Sequence, residues 1–207
     1  MATEIIATDD EFYSQFYELY LSLSTLQAAS WCATNVFACN PFGNRVVPLE
    51  LVSGCKAEML TLKVHTIFGR AFENKSPLPL EFVRSRVTEF SEQQKSAGFK
   101  GIIDKIASSS FLLLFEYLRP KLDKEYGNQP NLGTWPDLPY FCWIIRNSIA
   151  HNCTWNLRDT NAPAVKWGNL TIVPPVAPDP LFSGQLGGTD VILLMHELRK
   201  FAKDNQL

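Results

Sequence analysis

The sequence is poor in the residues on which metal and nucleotide chemistry depend. It holds three histidines in 207 residues, His65, His151 and His196. No carboxylate cluster accompanies them, which argues against a metal centre. The five cysteines, Cys32, Cys39, Cys55, Cys142 and Cys153, contain no CxxC pair and match no zinc spacing. Their odd number, with Cys142 in a purely apolar run, fits reduced thiols in a cytoplasmic protein. No GxGxxG, Walker or GxSxG sequence occurs, so neither a phosphate-cradling loop nor a hydrolase nucleophile is expected, and no cofactor. Basic charge is also scarce. A formal net charge of −2 argues against a broadly basic nucleic-acid binder and leaves room for a local basic groove. The opening MATEIIATDD lacks the basic and long apolar parts of a signal peptide. The densest apolar run, FLLLFEYL, is too short for a bilayer and contains Glu116. Without a secretory signal, the glycosylation patterns at Asn74, Asn152 and Asn169 read as chance. No internal repeat or low-complexity tract is present.

What remains is a composition for folding: 46% hydrophobic and 19% charged residues. Residues 10–38 show helical spacing at Phe12, Phe16, Leu19, Leu23 and Leu26, with Asp9 or Asp10 as N-cap. NPFGN ends that helix, and residues 45–54 are irregular or extended. A second helix is expected over 54–73, with Met59, Leu62, Ile67 and Phe68 inward. Lys56, Lys63 and Arg70, seven apart, would then line one face, either a solvated stripe or a rail for RNA phosphates. A third helix is expected over 79–95 on Phe82, Val83, Val87 and Phe90, with Arg84 and Arg86 pointing away as further candidate RNA contacts. Residues 99–125 carry the strongest helical pattern, Phe99, Ile102, Ile103, Ile106, Leu113, Leu114, Tyr117 and Leu118. Ser108, Ser109 and Ser110 would permit a close helix crossing, and Pro120 predicts a kink or an end near 119. Residues 126–139 form a loop. VKW and LTIV about Gly168-Asn169 predict a β-hairpin. A Pro/Gly-rich connector of limited order leads to a last helix, 190–204, capped by Thr189 or Asp190, with Val191, Leu194, Met195, Leu198 and Phe201 inward. His65 reads as a core-edge residue and His196 as solvent-exposed. The sum is a mainly all-α helical bundle in one domain over 1–207, with 155–188 as an irregular and β-hairpin insertion.

Residues 139–155, PYFCWIIRNSIAHNCTW, stand apart. Positions 140–145 are apolar on all sides, the mark of a buried helix. Arg146, Asn147 and His151 emerge at its end. Asn147 and His151 share a helix face. Arg146 and His151 sit about 140° apart on an ideal helix. They converge only if the helix ends near His151 or if a second copy supplies the complement. Spacing alone also fits a plain structural role, with the histidine on the helix dipole and the arginine paired to a carboxylate of a neighbouring helix.

An apolar helix running into Arg146-Asn147 and then His151 resembles the HEPN family (higher eukaryotes and prokaryotes nucleotide-binding domains). Long helices before the motif and an amphipathic helix after it are similar too. The resemblance implies a helical bundle that dimerises with its motifs facing each other. It implies metal-independent RNA cleavage, often by toxins or antiviral defence proteins. Cleavage through the ribose 2′-OH needs a base, an acid and positive charge at the phosphorane. A two-fold dimer supplies two histidines and two arginines to one cleft. The resemblance therefore implies proton transfer by His151, phosphate binding by Arg146, and orientation of His151 or the scissile phosphate by Asn147. The partners implied are RNA, a second copy of the chain, and an antitoxin or other regulatory protein, with no membrane. HEPN toxins paired with nucleotidyltransferase antitoxins often carry Tyr two residues after the His, whereas this chain has Cys153, a departure that argues against that route of neutralisation and not against the nuclease.

Overall fold

The computed structural model describes residues 2–38, 49–53, 55–62, 71, 76–86, 97–128, 130, 133–155, 157–182 and 186–207. Among these, the helices are α1 (Tyr13–Ala38), α2 (Ala97–Tyr126), α3 (Asp137–Ala150) and α4 (Gly188–Asp204). The strands are β1 (Ala2–Ile6), β2 (Leu49–Ser53), β3 (Glu58–Leu62), β4 (Leu80–Arg86), β5 (Val165–Trp167) and β6 (Leu170–Ile172). A four-stranded sheet in the order β1-β4-β3-β2 and a two-stranded β5-β6 sheet make the protein mixed α/β. That overturns the expected mainly all-α bundle. The chain divides into two compact units, Met1–Val52 with Glu58–Glu89, and Ser53–Ala57 with Phe90–Leu207. Among the described residues no helix is long and apolar enough to cross a membrane.

The first unit holds α1 and the four-stranded sheet. Phe12, Phe16, Leu19 and Leu23 are fully buried, as their spacing predicts. Asp10 closes the entry turn. Its carboxylate accepts from the Phe12 N–H at 3.0 Å and its carbonyl from the Tyr13 N–H at 2.9 Å. The sheet replaces two expected helices. In β3, Leu60 and Leu62 are buried while Met59 and Thr61 are half-buried; in β4, Leu80 and Phe82 are buried with Glu81 between them. This is period-two burial. β4 pairs antiparallel with both β1 and β3, placing Leu62 opposite Phe82 and Thr61 opposite Val83. The Met59/Leu62 and Phe82/Val83 spacings imitate a helix only because the segments are short. Lys63, His65, Ile67, Phe68, Arg70, Val87 and Phe90 lie outside the described residues.

The second unit packs α2, α3 and α4 together with the β5-β6 hairpin. Ala107, Phe111, Leu114, Leu118 and Leu122 form the buried face of α2. Ile102, Leu113 and Tyr117, expected on that face, are exposed. Pro120 lies inside α2, which continues to Tyr126 and does not end near 119. Proline lacks the N–H that the Glu116 carbonyl would accept, a defect of about 3 kcal/mol. Full burial of Leu118 and Leu122 on either side offsets it. α4 starts at Gly188, not 190, with Gly187 as N-cap and Asp190 at the third helical position. A Cβ on Gly188 would lie 2.9 Å from the Asp104 backbone, so α2 and α4 approach closely at Asp104, one turn before Ser108. The hairpin forms as predicted, with Trp167 opposite Leu170 and Gly168 turning at φ +59°. Val165, Trp167, Leu170 and Ile172 face inward.

Candidate functional site

The sequence builds α3 as a buried rod with a polar end. Tyr140, Phe141, Cys142, Ile144, Ile145 and Ile149 are buried, and the Trp167 ring stacks on Phe141 with centroids 5.6 Å apart. Burial pushes the Cys142 thiol well above its ordinary range. The helix ends at His151, one of the two arrangements that the Arg146–His151 spacing left open. His151 is its C-cap, with its N–H on the Asn147 carbonyl at 3.0 Å. Asn152 and Cys153 follow with left-handed φ of 58° and 54°. The Cys153 and Thr154 N–H groups then donate back to the Ile149 and Ser148 carbonyls at 3.2 and 3.0 Å. Trp155 N–H to the Asp179 carbonyl and Leu181 N–H to the Cys153 carbonyl pin this turn to the connector, at 2.9 and 2.7 Å.

Arg146 and Asn147 are half-buried and His151 is exposed. Arg146 Nε donates to Glu116 Oε1 of α2 at 2.6 Å, Nη2 lies 2.6 Å from the same oxygen, and Nη1 donates to Asn147 Oδ1 at 3.2 Å. The structure thus joins Arg146 to Asn147. No hydrogen bond or ion pair links either side chain to His151 within the chain, among the described residues. Glu116 is the site residue that sequence reasoning missed. Spacing gave no signal for it, because it lies 30 residues from Arg146 and on another helix.

Of the weaker RNA candidates, Lys56, Arg84 and Arg86 are among the described residues, and Lys63 and Arg70 are not. Lys56 lies in the turn between β2 and β3, not on a helix, so no Lys56-Lys63-Arg70 helical stripe starts there. Its ammonium is 3.3 Å from Glu197 and 5.0 Å from the Trp167 ring centre. Arg84 and Arg86 sit on β4, and Arg84 Nε and Nη2 grip Glu58 Oε2 at 2.9 and 2.7 Å. His196, expected in solvent, is buried in α4. Among the described residues no three His, Cys, Asp or Glu side chains group as a metal ion would need.

A second polar cluster surrounds the start of α4. Asp190 and Asp104 are both buried. Asp190 accepts from the Ser53 hydroxyl, from the Cys55 N–H at 3.1 Å and from the Gly187 N–H at 2.8 Å. Asp104 accepts from the Gly188 N–H at 2.6 Å. Desolvation raises both carboxyls above their ordinary range, against the lowering effect of these bonds, and the Asp190 charge raises Asp104 further. The Cys55 thiol is pushed up to about 12, by burial first and then by Asp190. A thiol so disfavoured as thiolate is no nucleophile. These groups cap a helix and tie a turn to it.

Comparison with family models, with curated proteins and with solved structures finds no match to this chain.

Proposed function

We propose that this chain is a metal-independent endoribonuclease of the HEPN type. It cleaves RNA by 2′-OH attack, leaving 2′,3′-cyclic phosphate and 5′-OH ends, as a toxin or antiviral effector. The end of α3 carries this proposal. A buried helix stops at His151, which is exposed, with the half-buried Arg146 and Asn147 in its last turns. His151 transfers protons, Arg146 binds the phosphate, and Asn147 holds Arg146 Nη1. One histidine cannot serve as base and acid in the same step. The proposal therefore includes a homodimer whose second motif completes the cleft. An antitoxin or other regulatory protein is its natural partner, and the cytoplasm its place of action.

Glu116 favours a second reading, in which Arg146 is only a helix-to-helix ion pair. The pair's side chains are 35% and 51% exposed. An exposed pair contributes about 0–1 kcal/mol, too little to explain the motif by stability.

The test is RNA incubated with purified protein, with and without EDTA, followed by analysis of the product ends. Cleavage that persists in EDTA, yields cyclic phosphate ends and disappears in Arg146→Ala and His151→Ala is the expected result. Cleavage lost in EDTA, or retained by both variants, sinks the proposal. A dimer that binds RNA without cutting it identifies a non-catalytic HEPN module instead.

A further inference from the structure

Arg146 is reachable from solvent and yet already held. A guanidinium carries five N–H bonds. The contacts of Nε and Nη2 with Glu116 Oε1 and of Nη1 with Asn147 Oδ1 occupy three. Two remain, one on each terminal nitrogen, and N–H bonds of this kind are what arginine offers to a phosphate. Glu116 and Asn147 thus hold each of the three nitrogens once, on a side chain that is 35% exposed. A long side chain held this way loses less conformational freedom when an anion arrives. The two holders come from different elements, Glu116 from α2 and Asn147 from α3, so they set both the position and the plane of the guanidinium.

We propose that Glu116 is a positioning residue. By holding Nε and Nη2 of Arg146, it presents the two remaining N–H bonds to a phosphate of single-stranded RNA. This rests on the ribonuclease reading above and adds to it a residue outside the motif.

The experiment measures binding of a single-stranded 2′-O-methyl RNA oligonucleotide, which cannot be cut through its 2′ oxygen, by fluorescence anisotropy across a salt series. The proteins are the full-length chain, Arg146→Ala, Glu116→Ala, Glu116→Asp and the Arg146→Ala/Glu116→Ala double variant, each checked for folding by circular dichroism. Arg146→Ala weakens binding roughly tenfold, the scale of a charge-assisted phosphate contact. It also flattens the slope of log affinity against log salt by about 0.7, one phosphate contact on a single strand. Glu116→Ala weakens binding about fivefold, the scale of a half-exposed ion pair, and flattens the slope in the same direction. Glu116→Asp recovers part of the loss. In the Arg146→Ala background, Glu116→Ala changes nothing further, because its effect passes through the arginine. Three results overturn the proposal: tighter binding by Glu116→Ala, which makes the carboxylate a competitor of RNA; unchanged binding; or an equal loss with and without Arg146. If Arg146→Ala itself binds normally, the phosphate role of Arg146 falls and takes this proposal with it. That outcome is distinct from loss in Arg146→Ala with none in Glu116→Ala, which removes only the positioning role.

Discussion

The C-terminal end of α3 and the N-terminal end of α4 are both polar helix ends in the second unit, but they finish differently. At the start of α4, Asp190 accepts from Ser53, Cys55 and Gly187. Its acceptor capacity is spent inside the protein, and it is buried. At the end of α3, Arg146 keeps two N–H bonds after Glu116 and Asn147 are served, and His151 faces solvent. The first cluster satisfies groups that folding would otherwise strand. The second holds donors and an imidazole where a solute reaches them. Perturbed acidity marks the α4 cluster, while unspent hydrogen-bonding capacity marks the α3 cluster.

The comparison breaks most sharply through His151. His151→Ala is expected to lower RNA cleavage by about 10²–10⁴-fold, the range of a lost general acid or base. The urea midpoint should stay near that of the unmodified chain, because the imidazole is exposed. A large drop in that midpoint with cleavage intact would make the α3 end structural as well.

Asp190→Ala is the reciprocal test. It strands the Ser53 hydroxyl and the Cys55 and Gly187 N–H groups in a buried site. A loss of about 2–5 kcal/mol in chemical denaturation is expected, at 1–3 kcal/mol for each unsatisfied donor less relaxation. Cleavage by the remaining folded protein should be unchanged. Specific activity that falls when the folded fraction is held constant would move catalysis to the α4 cluster.

Gly188→Ala sharpens the same side. A methyl group at that position meets the Asp104 backbone N and Cα at 2.9 Å. Backbone cannot swing away as a side-chain tip does, so α2 and α4 must separate. A loss of about 1–3 kcal/mol is expected from overpacking, read from the denaturation midpoint. A neutral result would mean that the α2–α4 approach adjusts freely.

Much of this was legible from local pattern. α1, α3, α4 and the hairpin carry long or strongly punctuated signals, and the end of α3 near His151 is one of the two arrangements that the Arg146–His151 spacing left open. β3 and β4 were not legible. Glu58–Leu62 and Leu80–Arg86 are short, and their apolar residues fit either period. Their pairing is non-local, so burial against another strand decides what propensity leaves open. Pro120 does not end its helix for a similar reason, since packing around Leu118 and Leu122 outweighs its local preference. At the site, the helix that presents Arg146 could be read from the sequence, but its partner Glu116 could not. His196 was misplaced because α4 is buried on more than one face, from Val191 through His196.

The gentlest test uses pH on the buried carboxyls. Asp104 has its acidity weakened chiefly by desolvation, with the Asp190 charge adding to it, and the Gly188 N–H and Lys100 acting the other way. Folding therefore favours its protonated form. As pH rises past the ordinary aspartate value of about 3.9, the unfolded chain releases this proton first. Asp104's contribution to stability falls until pH passes its raised folded value, then levels off. Asp104→Asn retains an amide oxygen for the Gly188 N–H and removes the titration. Its stability relative to the unmodified chain should therefore rise with pH above the ordinary aspartate value and flatten once pH passes the raised folded value. Urea midpoints of the two proteins at matched pH values give the difference directly. Parallel curves would mean that Asp104 ionises as easily when folded as when unfolded. The α4 cluster would then be no drier than the end of α3, and the contrast between the two helix ends would rest on hydrogen-bond satisfaction alone.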